Sequence, residues 1–191
     1  MRKILKSENG FTIVELMAVI SILGILSTIA VSSFNRQLQD AHLKKAAQAF
    51  VSFTKASKSR SMSSASPCKL IVDHEEARIT ISNPIECSNM GTLNLLDSSD
   101  NLKNLVICGT TNTSKFNMLC NQENDGSDSD INGAPKTSTS IEFTSKGTVS
   151  KGALVKLYSP KLGKGYCIII TAPVGLIRTS RMNGNICNFA E

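Results

Sequence analysis

The segment Gly10-Phe-Thr-Ile-Val-Glu-Leu-Met-Ala-Val-Ile-Ser-Ile-Leu-Gly-Ile-Leu-Ser-Thr-Ile-Ala-Val-Ser-Ser-Phe34 contains a single ionisable side chain, Glu15. A helix rises about 1.5 Å per residue, so roughly 20 mostly apolar residues cover a hydrocarbon layer. As a helix, this run reads as a membrane span. Arg2, Lys3 and Lys6 precede it, and basic flanks stay on the cytoplasmic side, which sends the rest of the chain outward. Glu15 is the anomaly: a carboxylate at membrane depth costs about 2.5–3.5 kcal/mol on insertion scales and calls for a cationic partner. A cut between Gly10 and Phe11 would create that partner, an amino group one helical turn from Glu15. Pairing with the amine of a neighbouring copy would fix the axial register of two parallel helices, and a first-turn carboxylate also suits the helix dipole.

Lys6-Ser-Glu-Asn-Gly10, then Phe11-Thr12, Glu15 and an uninterrupted apolar helix resemble the signal of type IV pilins and type II secretion pseudopilins. The resemblance implies that a prepilin peptidase cuts after Gly10 and methylates Phe11, and that Glu15 acts in assembly. It implies as partners other pilin or pseudopilin subunits, the inner membrane before assembly, and an inner-membrane assembly platform. The protein would be single-pass in the inner membrane, then part of a periplasmic or cell-surface filament. An ordinary secretory signal has an apolar core of only 7–15 residues, and it leaves Glu15 without a reason, as does a plain signal anchor.

The expected organisation is a leader at residues 1–10, a transmembrane and filament-core helix at 11–34, an amphipathic continuation at 35–64 and a disulfide-containing, β-rich head at 65–191. In the continuation Leu43, Ala46, Ala47, Phe50, Phe53 and Ser57 recur at three- and four-residue steps, an apolar stripe that needs a sheet to cover it. The fold class is therefore α+β: a long N-terminal helix packed on a C-terminal antiparallel sheet domain. Past Pro67 the apolar period falls to two. Lys69–Asp73 and Arg78–Ser82 read as a hairpin, Asn83–Asn104 as a loop, and Leu105–Gly109 and Phe116–Cys120 as short strands. Ser140–Thr144, Ala153–Tyr158, Tyr166–Thr171 and Val174–Arg178 read as strands separated by Gly, Pro and Ser turns.

Cys68, Cys87, Cys108, Cys120, Cys167 and Cys187 all lie in the exported part, where an even count reads as disulfides. Six cysteines allow fifteen connectivities; pairing of sequence neighbours, Cys68 with Cys87, Cys108 with Cys120 and Cys167 with Cys187, is the simplest of them. There is no Cys-x-x-Cys, and the only histidines are His42 and His74, so no zinc site is expected. Asp125, Asp128 and Asp130 fail the spacing of a calcium loop, whose last position would here be Lys136. No cofactor or metal is expected. Without a Gly-x-Ser-x-Gly, a P-loop or a histidine metal motif, nor is an enzyme.

The net charge of +6 conceals segregation. Residues 36–69 hold seven Lys and Arg against Asp40, residues 73–130 three against ten acids, and residues 136–191 eight against two. These blocks can complement one another within a subunit or between stacked subunits, or the basic ones can offer phosphate contacts. Ile141-Glu-Phe, Lys146-Gly-Thr148, Gly165-Tyr-Cys-Ile-Ile-Ile and Val174-Gly-Leu-Ile-Arg178 are similar to the GspH/FimT family of minor pseudopilins and pilins. Some FimT-like members are associated with DNA uptake through an Arg-x-Arg pair; here the equivalent positions are Leu176 and Arg178. Arg178, Arg181, Lys161 and Lys164 are the residues through which DNA contact would run. A structural filament subunit is the favoured expectation and a DNA-binding one the alternative.

Overall fold

The computed structural model describes residues 10–82, 87, 90–96, 105–111, 138–183 and 186–187, with backbone alone at 28–33, 183 and 186. Helix α1 runs Ile13–Ser63. Nine strands follow: β1 Cys68–Asp73, β2 Arg78–Ile81, β3 Leu93–Asn94, β4 Val106–Thr110, β5 Ser138–Phe143, β6 Ala153–Ser159, β7 Lys164–Thr171, β8 Leu176–Asn183 and β9 Ile186–Cys187. By its contacts the chain divides between Leu38 and Gln39 into two compact units.

The second unit is the α+β head. Its strands form two antiparallel sheets, ordered β3-β2-β1-β5 and β4-β6-β7-β8-β9. The β1–β2 hairpin pairs Leu70 with Ile81 and Val72 with Ile79, and β5 pairs along the other edge of β1, Leu70 opposite Ile141. Leu70, Val72, Ile141 and Phe143 alternate inward while Lys69 and Glu142 point out, as period-two patterning requires. Leu43, Ala47 and Phe50 of α1 meet both sheets in one core, with Val155, Leu157, Ile168 and Ile170 from the larger sheet. Phe53, expected in this stripe, is only partly buried but packs against it.

Thr54, Ser57 and Ser61 are also fully buried on α1. Burial of a hydroxyl is tolerable only when it is hydrogen-bonded, and each donates back to its own helix: Thr54 to the Phe50 carbonyl at 2.8 Å, Ser57 to Phe53 at 2.9 Å and Ser61 to Lys58 at 2.7 Å. Small polar residues thus extend the stripe toward the helix C-terminus without an open polar group.

Several strand bounds differ from the sequence reading by a residue or two, the last strand by more, and two short strands are additional. Val174 lies in a turn, and β8 starts at Leu176 and runs on to Asn183, carried by antiparallel pairing with β7 from Thr171↔Leu176 to Tyr166↔Arg181. The preceding turn closes with the Gly175 amide donating to the Thr171 carbonyl at 2.8 Å. Gly175 has a φ of 65°, and a Cβ there would meet the Gly147 carbonyl oxygen at 2.7 Å, so glycine is required. Lys58 of α1 donates to the Val174 and Gly175 carbonyls at 3.1 and 2.9 Å and pins this turn to the helix. Within the expected loop at 83–104, Leu93–Asn94 form a short strand on β2; most of the remaining loop residues, and the expected strand Phe116–Cys120, lie outside the described residues. A ninth strand, β9, pairs with the end of β8.

Candidate functional site

The first unit carries the residues expected to be processed, Gly10 and Phe11. Gly10 and Phe11 are exposed and non-helical, and α1 begins at Ile13. The boundary is set by Thr12: its hydroxyl accepts the Glu15 amide at 3.3 Å, and its carbonyl accepts the Leu16 amide at 3.1 Å. Thr12 is therefore the N-cap and Glu15 the third helical residue, the Thr-x-x-Glu spacing of a capping box. The sequence reading treated Glu15 as a charge alone and missed Thr12; the spacing itself was the available signal. Glu15 stands exposed in the first turn, where the helix dipole favours a carboxylate.

Beyond the cap the helix is apolar on every side. Ile13, Val14, Leu16, Met17, Val19, Ile20, Ile22, Leu23, Ile25 and Leu26 are all exposed, Ile13 at 76% and Val19 at 46%. Ser21 and Ser27 return their hydroxyls to the carbonyls of Met17 and Leu23, at 2.8 and 2.7 Å. This surface offers a surrounding medium almost no open polar group, which is the condition for contact with lipid or with other apolar helices. Among the described residues, no helix is long and apolar enough to cross a membrane; the side chains described in this run end at Ser27 and fall short of the roughly 20 residues a span needs.

In the head, Cys68 is bonded to Cys87 and Cys167 to Cys187, with Cα separations of 5.9 and 5.8 Å. The first bond ties β1 to the segment after β2, and the second ties β7 to β9 across β8. Cys108 is also disulfide-bonded; Cys120 lies outside the described residues, as do Asp125, Asp128 and Asp130. Among the described residues no group of three or more His, Cys, Asp or Glu could hold a metal ion.

The four basic residues considered for DNA do not converge. Lys161 sits in the β6–β7 turn and Lys164 at the start of β7. Arg178 and Arg181 are an odd number of residues apart on β8 and so project from opposite faces. Arg181 stacks over the Tyr166 ring, 5.8 Å from its centroid, on the side facing α1. Arg178 pairs with Ile169, whose side chain packs with Leu154, Cys167 and Met182 on the other side.

Two further features escaped the sequence reading. Lys156, at the middle of β6, is 2% exposed, between Cys108 on β4 and Cys167 on β7. Burial penalises its ammonium and lowers its pKa from the ordinary 10.5. Its signal was a lone charge in the apolar run Ala153–Tyr158. The second is a groove of about 490 Å³ lined by Lys44, Gln48, Ser52 and Lys55 of α1 and by Tyr166 and Thr179 of β7 and β8.

Residues 5–31 match the model of the prokaryotic N-terminal methylation motif. The matched range contains the Gly10–Phe11 junction, the Thr12 cap, Glu15 and the apolar turns that follow. No curated protein and no solved structure matches the chain. Residues 5–31 thus carry a type IV pilin-like prepilin signal, the kind of signal on which a prepilin peptidase acts.

Proposed function

We propose that the protein is a minor pilin-like subunit, cut after Gly10, methylated at Phe11 and assembled into a type IV pilus or a type II secretion pseudopilus. The observation that carries this reading is the coincidence of the methylation motif with a helix whose apolar side chains are exposed all round, joined in sequence to a head whose own core is closed. Such a helix needs apolar surroundings. Before assembly that is the inner membrane, crossed once with the head outside the cytoplasm; afterwards it is the helices of neighbouring subunits. Lipid and leucine are similarly apolar, so the exchange gains little from burial, and packing and polar pairing set its specificity.

Glu15 supplies the pairing. Once Phe11 is the chain end, its amine stands about one turn from the Glu15 carboxylate, and the amine of an adjacent subunit can take the same place. The cap adds a second consequence: with the helix starting at Ile13, the Gly10–Phe11 bond is left in exposed, non-helical backbone, accessible to a peptidase. The resemblance to GspH/FimT proteins and the disulfides of the head favour a minor subunit exposed outside the cell. The placement of Arg178 and Arg181 on opposite strand faces favours the structural role over DNA binding.

Intact-mass analysis of the protein from its native host tests the reading. The expected species begins at methylated Phe11, and Glu15→Ala yields a processed, membrane-inserted chain that is not recovered in filaments. A mature chain starting elsewhere, or parental incorporation of the Glu15→Ala variant, would sink it.

A further inference from the structure

We propose that the groove between α1 and strands β7 and β8 is a subunit contact that receives the acidic β1–β2 turn of a second copy of the chain. This rests on the filament reading above and names a contact between heads, in addition to the helix seam. The groove is built from one stripe of α1, with Lys44, Gln48, Ser52 and Lys55 at steps of about one helical turn beside the buried stripe, and from the Tyr166 ring with Arg181 stacked on it. Lys44, Lys55 and Arg181 are exposed, and none of the three has an ion-pair partner among the described residues. A volume of about 490 Å³ is within the range of clefts that bury a compact ligand, about 300–1,000 Å³. It can take the tip of a turn.

The chain supplies a matching tip. Between β1 and β2, Asp73 accepts the amides of Glu75 and Glu76, each at 3.0 Å, so its carboxylate is spent on shaping the turn while Glu75 and Glu76 project into solvent. Arg78 offsets Glu76 through an ion pair, and the turn keeps a net negative charge on backbone already fixed. A preorganised tip loses little freedom on docking. Elsewhere among the described residues Glu15, Asp40 and Glu142 are isolated acids, so this turn is the described acidic cluster.

Turn and groove belong to different sheets, and in one subunit no ion pair or hydrogen bond joins Glu75 or Glu76 to Lys44, Lys55 or Arg181. A contact between two different patches on identical chains is heterologous. Such a contact between two neighbouring copies leaves one groove and one turn open to a further subunit unless the rotation between copies completes a ring. Charge pairing of this kind mainly sets register and encounter rate, and salt weakens it.

The test is a charge exchange in the full chain, expressed in the native host and read as the fraction of processed protein recovered in sheared filaments. Lys44→Glu with Lys55→Glu, and separately Glu75→Lys with Glu76→Lys, should each lower that fraction about tenfold, because like charges then face one another. All four together should restore it to within about twofold of the parent. Unchanged levels of processed protein in the membrane confirm that the exposed substitutions fold, and Lys44→Gln with Lys55→Gln should give an intermediate loss. Parental incorporation of either double variant, or failure of the fourfold variant to recover, overturns the proposal. So does loss of single-stranded DNA binding with incorporation unchanged, which would assign the groove to nucleic acid. If the parent itself is not processed at Phe11 and not found in filaments, the filament reading fails instead.

Discussion

The two ends of α1 obey opposite rules. From Leu16 to Ser27, beyond Glu15, every large side chain is apolar and exposed, whereas from Leu43 to Ser61 only one stripe is buried and Lys44, Lys45, Lys55 and Arg60 occupy the outer positions. A helix apolar all round has no preferred face and needs surroundings that are themselves apolar; an amphipathic helix finds its partner in a sheet of its own chain. The C-terminal part is thus a folding element, and the N-terminal part is a surface awaiting lipid or other helices. The difference is one of where the covering partner comes from.

Truncation of buried and exposed apolar residues should break this symmetry most visibly. Phe50 is fully buried among both sheets, and Phe50→Ala should cost about 3–5 kcal/mol of head stability. Ile20→Ala, at a position 60% exposed, should change head stability in detergent by no more than about 0.5 kcal/mol while lowering filament incorporation. Denaturant unfolding of the full chain in detergent, monitored on the head, separates the two. Equal losses would mean that Ile20 contributes to the stability of the head itself.

The disulfides sharpen the contrast next, since they occur only where the chain makes its own core. Cys167 and Cys187 are 20 residues apart, and closing a loop of that length restricts the unfolded chain by about 3 kcal/mol in the chain-entropy account. Replacing both by Ser should lower head stability by about that amount and leave processing at Gly10–Phe11 unchanged, checked by denaturation and by intact mass. A change in processing would mean that the peptidase reads the head as well as the signal.

A smaller effect belongs to the first turn. Thr12→Val keeps the shape of the side chain but removes the acceptor for the Glu15 amide, which costs about 1 kcal/mol. Amide exchange at Glu15 and Leu16 in micelles should quicken by about fivefold and return to the parental rate in Thr12→Ser. No change in Thr12→Val would show that the cap does not hold the start of α1.

What was legible in the sequence divides along the same line. The N-terminal signal lies in contiguous residues and needs no distant partner, and residues 5–31 match the methylation motif. The stripe through Leu43, Ala47 and Phe50 and the alternation of β1, β2 and β5 are local periodicities, and α+β followed from them. The split into two sheets was not legible, because it depends on which distant strand β1 chooses; β5, far along the chain, pairs with it in preference to β4. The polar stretch Thr179 to Arg181 of β8 carries no strand pattern and is held extended by hydrogen bonds to β7, while Met182 and Asn183 pair with β9. Arg178 and Arg181 looked like neighbours in a list of basic residues, and strand alternation puts them on opposite faces. Thr12 and Glu15 were in plain view as a capping pair, but the membrane argument had already given the carboxylate a role.

Lys156 is the case in which sequence and burial disagree most, and it tests how closed the head is. Its pKa is lowered in the folded protein because burial disfavours the ammonium; in the unfolded chain it returns to the ordinary 10.5. Between the lowered value and 10.5 the unfolded state binds more protons, so the contribution of this residue to stability rises with pH across that window and is flat below it. Lys156→Met removes the titration. Every other group is common to the parent and the variant and cancels in the comparison. The stability of the parent relative to Lys156→Met should therefore climb as pH is raised toward 10.5 in paired denaturation curves. A difference that stays level would mean that water reaches the ammonium, and that the outer face of the larger sheet is less sealed than the face against α1.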